Sequence, residues 1–113
     1  MTAEFGHHYI AGQWLSDAPN GFSEVENPSD GSIIGTAPNG SAGLAENAVM
    51  AAREAFESTD WASNPRQRAA ALLEFADILE SRADEIAALM ARENGKVLPQ
   101  ARHEVAAGYG EAR

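Results

Sequence analysis

A chain of 113 residues holds one domain at most, and a net charge of −9 argues against nucleic acid or an anionic membrane surface as partner. The absence of cysteine excludes disulfides, thiolate metal sites and a cysteine nucleophile on this chain. Nearly half of the apolar residues are alanine, so larger side chains for a core are few, and no apolar run approaches the roughly 18 residues of a membrane span.

Residues 1–8 read as an N-terminal tail. Met1 leads into Thr2, Ala3 and Glu4 with no signal-peptide pattern, which makes a cytoplasmic protein the expectation. His7 and His8 form a pair that could ligate a metal. The only other histidine is the distant His103, and no carboxylate stands at ligand spacing, so a solvated turn is expected instead. In residues 9–15, β-formers flank Ala11 and Gly12, which predicts a short hairpin with Ile10 and Trp14 as its buried contacts. A second hairpin is predicted with arms 23–27 and 32–37. Pro28, Ser29, Asp30 and Gly31 make its turn, and Pro28 is confined to a strand end or edge because it has no N–H to give. Two such small strand pairs cannot bury themselves and need helices or another sheet.

Pro38, Asn39 and Gly40 break the strand, and Ser41 is placed to cap a helix reaching about residue 58. Leu44, Ala45, Ala48, Val49, Ala52, Ala55 and Phe56 form its apolar stripe. Trp61 is expected to close the corner that follows. The next helix starts with Asn64 as cap and Pro65 at its first position, and carries Leu72, Phe75, Ala76, Leu79 and Ala83 on one face. A change of phase near Ser81 brings Ile86, Leu89 and Met90 to the apolar side. This predicts a break there and a stop at Asn94 and Gly95. A fourth helix is predicted from Gln100 onward, weakened by Gly108 and Gly110. The chain reaches Arg113 without a closing turn, which together with the thin core predicts a truncated product.

The order of these features is specific: YIAGQW at 9–14, ENPSDGSIIGTAP at 26–38, AAREAF at 51–56 with Trp61 after it, the run from Arg68 to Gly95-Lys96, then ARHEV at 101–105. From Tyr9 to Arg113 the chain resembles the amino-terminal segment of the NAD(P)-dependent aldehyde dehydrogenase superfamily. The resemblance implies an α/β, Rossmann-like fold of which this chain carries only the first part, mainly α, with two short β-hairpins and about four helices. Residues 9–113 would then be part of the cofactor-binding domain. Family members oxidise aldehydes to carboxylic acids through a cysteine thiohemiacetal, with a glutamate base, an asparagine at the oxyanion, and hydride transfer to NAD or NADP. None of those residues has a counterpart here, so no catalytic, cofactor-binding or metal-binding residue is assigned and no cofactor is expected on this chain. The implied partners are the remainder of such a chain, or a full-length relative, in a homo-oligomer.

Four side chains invite chemistry of their own. Lys96 could form a Schiff base or meet a phosphate, but it follows a helix end, where a cation suits the negative terminus, and no GxxxxGK pattern surrounds it. Tyr109 lacks a titratable neighbour to activate it. His103 and Glu104 are adjacent, so on a helix they point about 100° apart and do not share a substrate. The expected role is therefore an N-terminal piece of an aldehyde dehydrogenase, silent by itself. The alternative is a small acidic interaction module that associates with a full-length relative through its alanine-rich faces.

Overall fold

A computed structural model describes residues 4–113, with side chains from residue 6 onward. Its elements in order are β1 (Glu4–Phe5), β2 (His8–Ile10), β3 (Gln13–Leu15), β4 (Phe22–Glu26), β5 (Ile33–Pro38), α1 (Ala42–Ser58), α2 (Pro65–Ser81), α3 (Ala83–Asn94) and α4 (Leu98–Glu111). They divide into two compact units. One holds the strands, Ser32–Ser63 and α1; the other holds Asn27–Gly31 and Asn64–Arg113.

In the strand unit, β2 and β3 pair antiparallel across Ala11 (φ 52°) and Gly12 (φ 77°). Two successive positive φ values give a two-residue turn whose twist matches that of the strands. The register sets Tyr9 opposite Trp14 and Ile10 opposite Gln13. Directly opposed residues share a face, so Ile10 and Trp14 lie on opposite sides and are not the joint buried contacts that β-propensity suggests. Trp14 is 72% exposed and meets Tyr9 with ring centroids 4.7 Å apart, while Ile10 is half-buried.

The second predicted hairpin forms, with Phe22 opposite Pro38 and an irregularity between Val25 and Glu26. Pro28 lies beyond the end of β4, where its missing N–H costs no ladder bond. The hairpin also gains a strand: β1, within the stretch read as a tail, pairs parallel with β5, Glu4 opposite Gly35 and Phe5 opposite Thr36. Residues 1–3 of that stretch lie outside the described residues. The sheet order is β1-β5-β4, and the central β5 carries the buried pair Ile34 and Gly35. Beyond it, the Ser41 side chain accepts the Leu44 N–H at 3.2 Å and starts α1 where expected. Within this unit α1 packs against β2, yet none of its residues is buried. Trp61 sits exposed in the turn after α1, where its N–H donates to Thr59 Oγ1.

In the helical unit, Asn64 Oδ1 accepts the Gln67 N–H at 3.1 Å with Pro65 in the first turn, as the sequence signals. The break after α2 is a single residue, Arg82 (φ −110°, ψ 13°). Ser81 Oγ donates to Ile78 O at 2.7 Å, which competes with the helix ladder, and the Arg82 N–H is shared between Ile78 O and Leu79 O. The Arg82 guanidinium then grips Glu85 with two bonds, at 2.9 and 2.6 Å. That hydrogen bond, assisted by the opposite charge, holds the Glu85 carboxyl below its ordinary range. Asp84 and Glu85 fall in the first turn of α3, where negative charge suits the helix terminus.

The stop of α3 requires glycine on two counts. Gly95 has φ 72°, and a Cβ there would lie 2.9 Å from Pro28 Cγ. Helix α4 starts at Leu98, two residues before Gln100, because Pro99 fits a first turn whose N–H groups have no helical partner. It continues through Gly108 and Gly110 to Glu111, although both glycines weaken helices, because Ala101, Val105 and Tyr109 pack one of its faces. Nothing stands within 4 Å of a Cβ added at Gly108. Gly108→Ala is therefore expected to stabilise the helical unit by about 0.5–1 kcal/mol, read as a higher urea midpoint.

The core of this unit is built from alanine. Ala76, Ala87 and Ala101 are fully buried, with Val105 nearly so, and Ala83, Ile86, Met90 and Tyr109 pack round the α3–α4 part. Short side chains let helix backbones approach closely, and the cover they bury is correspondingly small.

Candidate functional site

The side chains with reactive chemistry are dispersed. The Lys96 ammonium forms an ion pair with Glu104, eight residues on, instead of standing free at the end of α3. Helix α4 begins just beyond Lys96 and carries Glu104 back to it, so both charges are half-buried against each other. His103, the residue before Glu104, is exposed on another face of α4. Tyr109 packs on the Ala87–Ala101–Val105 cluster, with the Arg113 guanidinium 5.9 Å from its ring centroid. Arg113 also meets Asp77, at 2.9 Å, and Glu80, and these hydrogen bonds raise its already high pKa further. His7 is exposed beside β2, and His8 pairs with Leu15 in the first hairpin. No group of three or more histidine, aspartate or glutamate side chains converges as a metal site among the described residues. None of the described helices is long and apolar enough to cross a membrane.

A nicotinamide cofactor needs a strand, a glycine turn and a helix N-terminus within a parallel sheet. Among the described residues the one junction of that kind is β5 into α1, through Asn39, Gly40, Ser41 and Gly43. Gly40 and Gly43 match two of the three spaced glycines of that turn, but Pro38 stands where the first would be, and Ser41 occupies the Leu44 N–H. The strand beside β5 on one side, β4, runs antiparallel, and parallel β1 is two residues long. These residues do not fit a dinucleotide.

The structure does offer apolar helix faces. On α1, Val49, Met50 and Phe56 stand exposed, and a shallow open concavity runs past Met50 between Arg53 and Glu57, which pair with each other. On α2, Leu72 and Phe75, expected on the covered stripe with Ala76, are each 52% exposed, and Ile78 adds to that surface beside Phe75, while Leu73 is exposed on another side of the helix. Only Ala76, Leu79 and Ala83 of the predicted stripe are covered within the unit. Single exposed apolar residues are ordinary; several along one helix face mark a surface that packs on something else.

A polar clasp is the feature that sequence reading passed over. Asn20 Nδ2 donates to Gly40 O at 2.6 Å, Asn39 Nδ2 to Asn20 O at 3.2 Å, the Asn39 N–H to Gly21 O at 2.8 Å, and Ser23 Oγ to Asn39 Oδ1 at 2.8 Å. The available signal was the tripeptide Pro-Asn-Gly, which occurs at 19–21 and again at 38–40.

The helical wrapping, the edge sheet and the uncovered faces define part of a larger α/β protein, and the family follows from comparison. The model for the Aldehyde dehydrogenase family matches residues 14–113, and the chain belongs to that family. It is 41% identical over 108 residues to alpha-ketoglutaric semialdehyde dehydrogenase of Bacillus subtilis (strain 168), an alignment covering 94% of this chain and 22% of that protein. Malonate-semialdehyde dehydrogenase of Bacillus pumilus (strain SAFR-032) is 38% identical over 102 residues, covering 89% and 21%. Among solved structures, lactaldehyde dehydrogenase from Escherichia coli superposes with a TM-score of 0.90 at 31% identity, covering 96% of this chain and 23% of that one. NAD-dependent aldehyde dehydrogenase from Sinorhizobium meliloti gives 0.88 at 28%, covering 98% and 22%. The chain thus spans about a fifth of the length of the relatives it matches and corresponds to an N-terminal piece of an aldehyde dehydrogenase. The family and fold that the ordered motifs implied are both confirmed.

Proposed function

We propose that this chain supplies the outer part of the cofactor-binding domain of an NAD(P)-dependent aldehyde dehydrogenase and is catalytically silent by itself. On this reading the remainder of such an enzyme brings the nicotinamide site, the cysteine nucleophile and the general base, and the assembled enzyme is a cytoplasmic homo-oligomer. The observation that carries it is the uncovered apolar faces of α1 and α2, with Phe56, Leu72 and Phe75 all more than half exposed. Burying one such side chain contributes about 1.5–3 kcal/mol, so a few of them suffice to hold this piece to a larger body.

The test is complementation. The chain is co-expressed with the cysteine-bearing remainder of a family enzyme, and the two are expected to co-purify and to reduce NAD or NADP with an aldehyde that neither reduces it with alone. Separate elution of two soluble, folded pieces would refute the reading. The same faces would also suit a small acidic module that docks on an intact relative. That alternative predicts binding to the full-length enzyme with no contribution to its turnover.

A further inference from the structure

Three asparagines in this chain are followed by glycine: Asn20, Asn39 and Asn94. In such a pair the glycine nitrogen can attack the asparagine side-chain carbonyl, because no side chain on the glycine obstructs the five-membered ring that forms. The three sites differ in what the fold does with the attacking nitrogen and with the carbonyl oxygen. The Gly21 N–H is bonded to Ala18 O at 2.9 Å, and the Gly95 N–H to Ala91 O at 3.0 Å, where Gly95 also lies against Pro28. Gly40 is exposed, and its N–H has no protein acceptor among the described residues. Only at residue 39 is a free nitrogen combined with a donor on the amide oxygen: Ser23 Oγ donates to Asn39 Oδ1 at 2.8 Å. Charge gathers on that oxygen during attack, and a donor already aimed at it lowers the barrier.

We propose that Asn39–Gly40 is a self-modification site, the first of the three Asn-Gly pairs to deamidate in the folded chain, with Ser23 promoting the step. The Gly40 nitrogen gives its proton to water and bonds to Asn39 Cγ. The Cγ–Nδ2 bond breaks, and Nδ2, taking up a proton from water, leaves as ammonia. A water molecule then opens the succinimide at either of its two C–N bonds, giving aspartate or isoaspartate at position 39, with no oxidation or reduction. The product loses the Nδ2–H that donates to Asn20 O, and a carboxylate oxygen then faces that carbonyl. The isoaspartate form also lengthens the backbone beside Gly40 O, the acceptor of Asn20 Nδ2. Either product opens the clasp between the β3–β4 loop and the residues that lead into α1.

The test ages the 113-residue chain in mildly alkaline buffer, follows each Asn-Gly peptide by mass spectrometry and counts isoaspartate enzymatically. Residue 39 is expected to lead residues 20 and 94 by several-fold in native buffer and to lose that lead in urea, where the three sequences are equally free. Ser23→Ala is expected to slow residue 39 alone by several-fold. Gly40→Ala should nearly abolish the reaction there, and the fold has room for it, since the nearest atom to the added Cβ is His8 Cε1 at 3.6 Å. If residue 20 or 94 keeps pace in native buffer, if the lead persists in urea, or if Ser23→Ala leaves the rate at 39 unchanged, the proposal is overturned.

Discussion

Purified as 113 residues, the protein is expected to reduce neither NAD nor NADP above a no-protein control, whatever aldehyde is supplied. Aldehyde oxidation through a covalent adduct needs a strong nucleophile activated near neutral pH, and there is no cysteine in the sequence to provide a thiolate. Lys96, the one lysine, is the other nucleophile that could add to an aldehyde, and its ammonium is paired with Glu104. Glu104 is the half-buried carboxylate nearest to a base role, and it is held by the same contact. His103 is exposed, and at the β5–α1 junction Ser41 already occupies the Leu44 N–H that a phosphate would use. Removing one well-placed catalytic group from an enzyme typically costs about two to four orders of magnitude in rate, and this chain has no cysteine to serve as the nucleophile. The assay is nicotinamide absorbance with a panel of aldehydes at high protein concentration. Turnover that survives repurification and scales with protein would overturn this expectation and the proposal that the chain is silent by itself.

What the sequence makes legible is what depends on near neighbours. The Ser41 and Asn64 caps, the positive φ at Gly95 and the interruption around Ser81 each involve contacts within about four residues, and each appears where the pattern places it. Features that depend on register or on distant partners are misplaced or missed. Trp14 looks like a buried β-former until the pairing with Tyr9 puts it on the outer face. Strand β1 is two residues of parallel pairing with β5, and nothing local in Glu4 and Phe5 announces a partner some thirty positions away. Periodicity gave α2 one apolar stripe. Within the helical unit only its alanine side and Leu79 are covered, and Leu72 and Phe75 remain outside. A stripe records that a face is buried somewhere, without recording whether the burying surface lies on the same polypeptide. The clasp went unread for a related reason, since a Pro-Asn-Gly sequence says turn, and that two such turns hold each other is decided by the sheet between them.

Ala101→Leu is expected to destabilise the helical unit by about 1–3 kcal/mol, seen as a lower urea midpoint with an unchanged slope. Ala101 is fully buried, as is Ala87 in the same cluster, and Val105 and Met90 close the remaining sides. A leucine there has no vacant volume to enter, so either α4 moves away from α3 or the side chain leaves its preferred rotamers. Moving α4 would also strain the Lys96–Glu104 pair and the grip of Arg113 on Asp77 and Glu80, which tie the two ends of α4 to the rest of the unit. Phe75→Ala is the informative contrast. It removes somewhat more apolar volume than Ala101→Leu adds, but from a side chain 52% exposed. In the isolated chain its effect on the midpoint is expected to stay within about 0.5–1 kcal/mol. In the complemented enzyme the same substitution is expected to cost about 3–5 kcal/mol, because the phenylalanine is then buried and its loss leaves a cavity. A large effect of Phe75→Ala already in the isolated chain would mean that the α2 face is covered by this polypeptide itself. An equal, small effect in both states would mean that the remainder of the enzyme does not dock there.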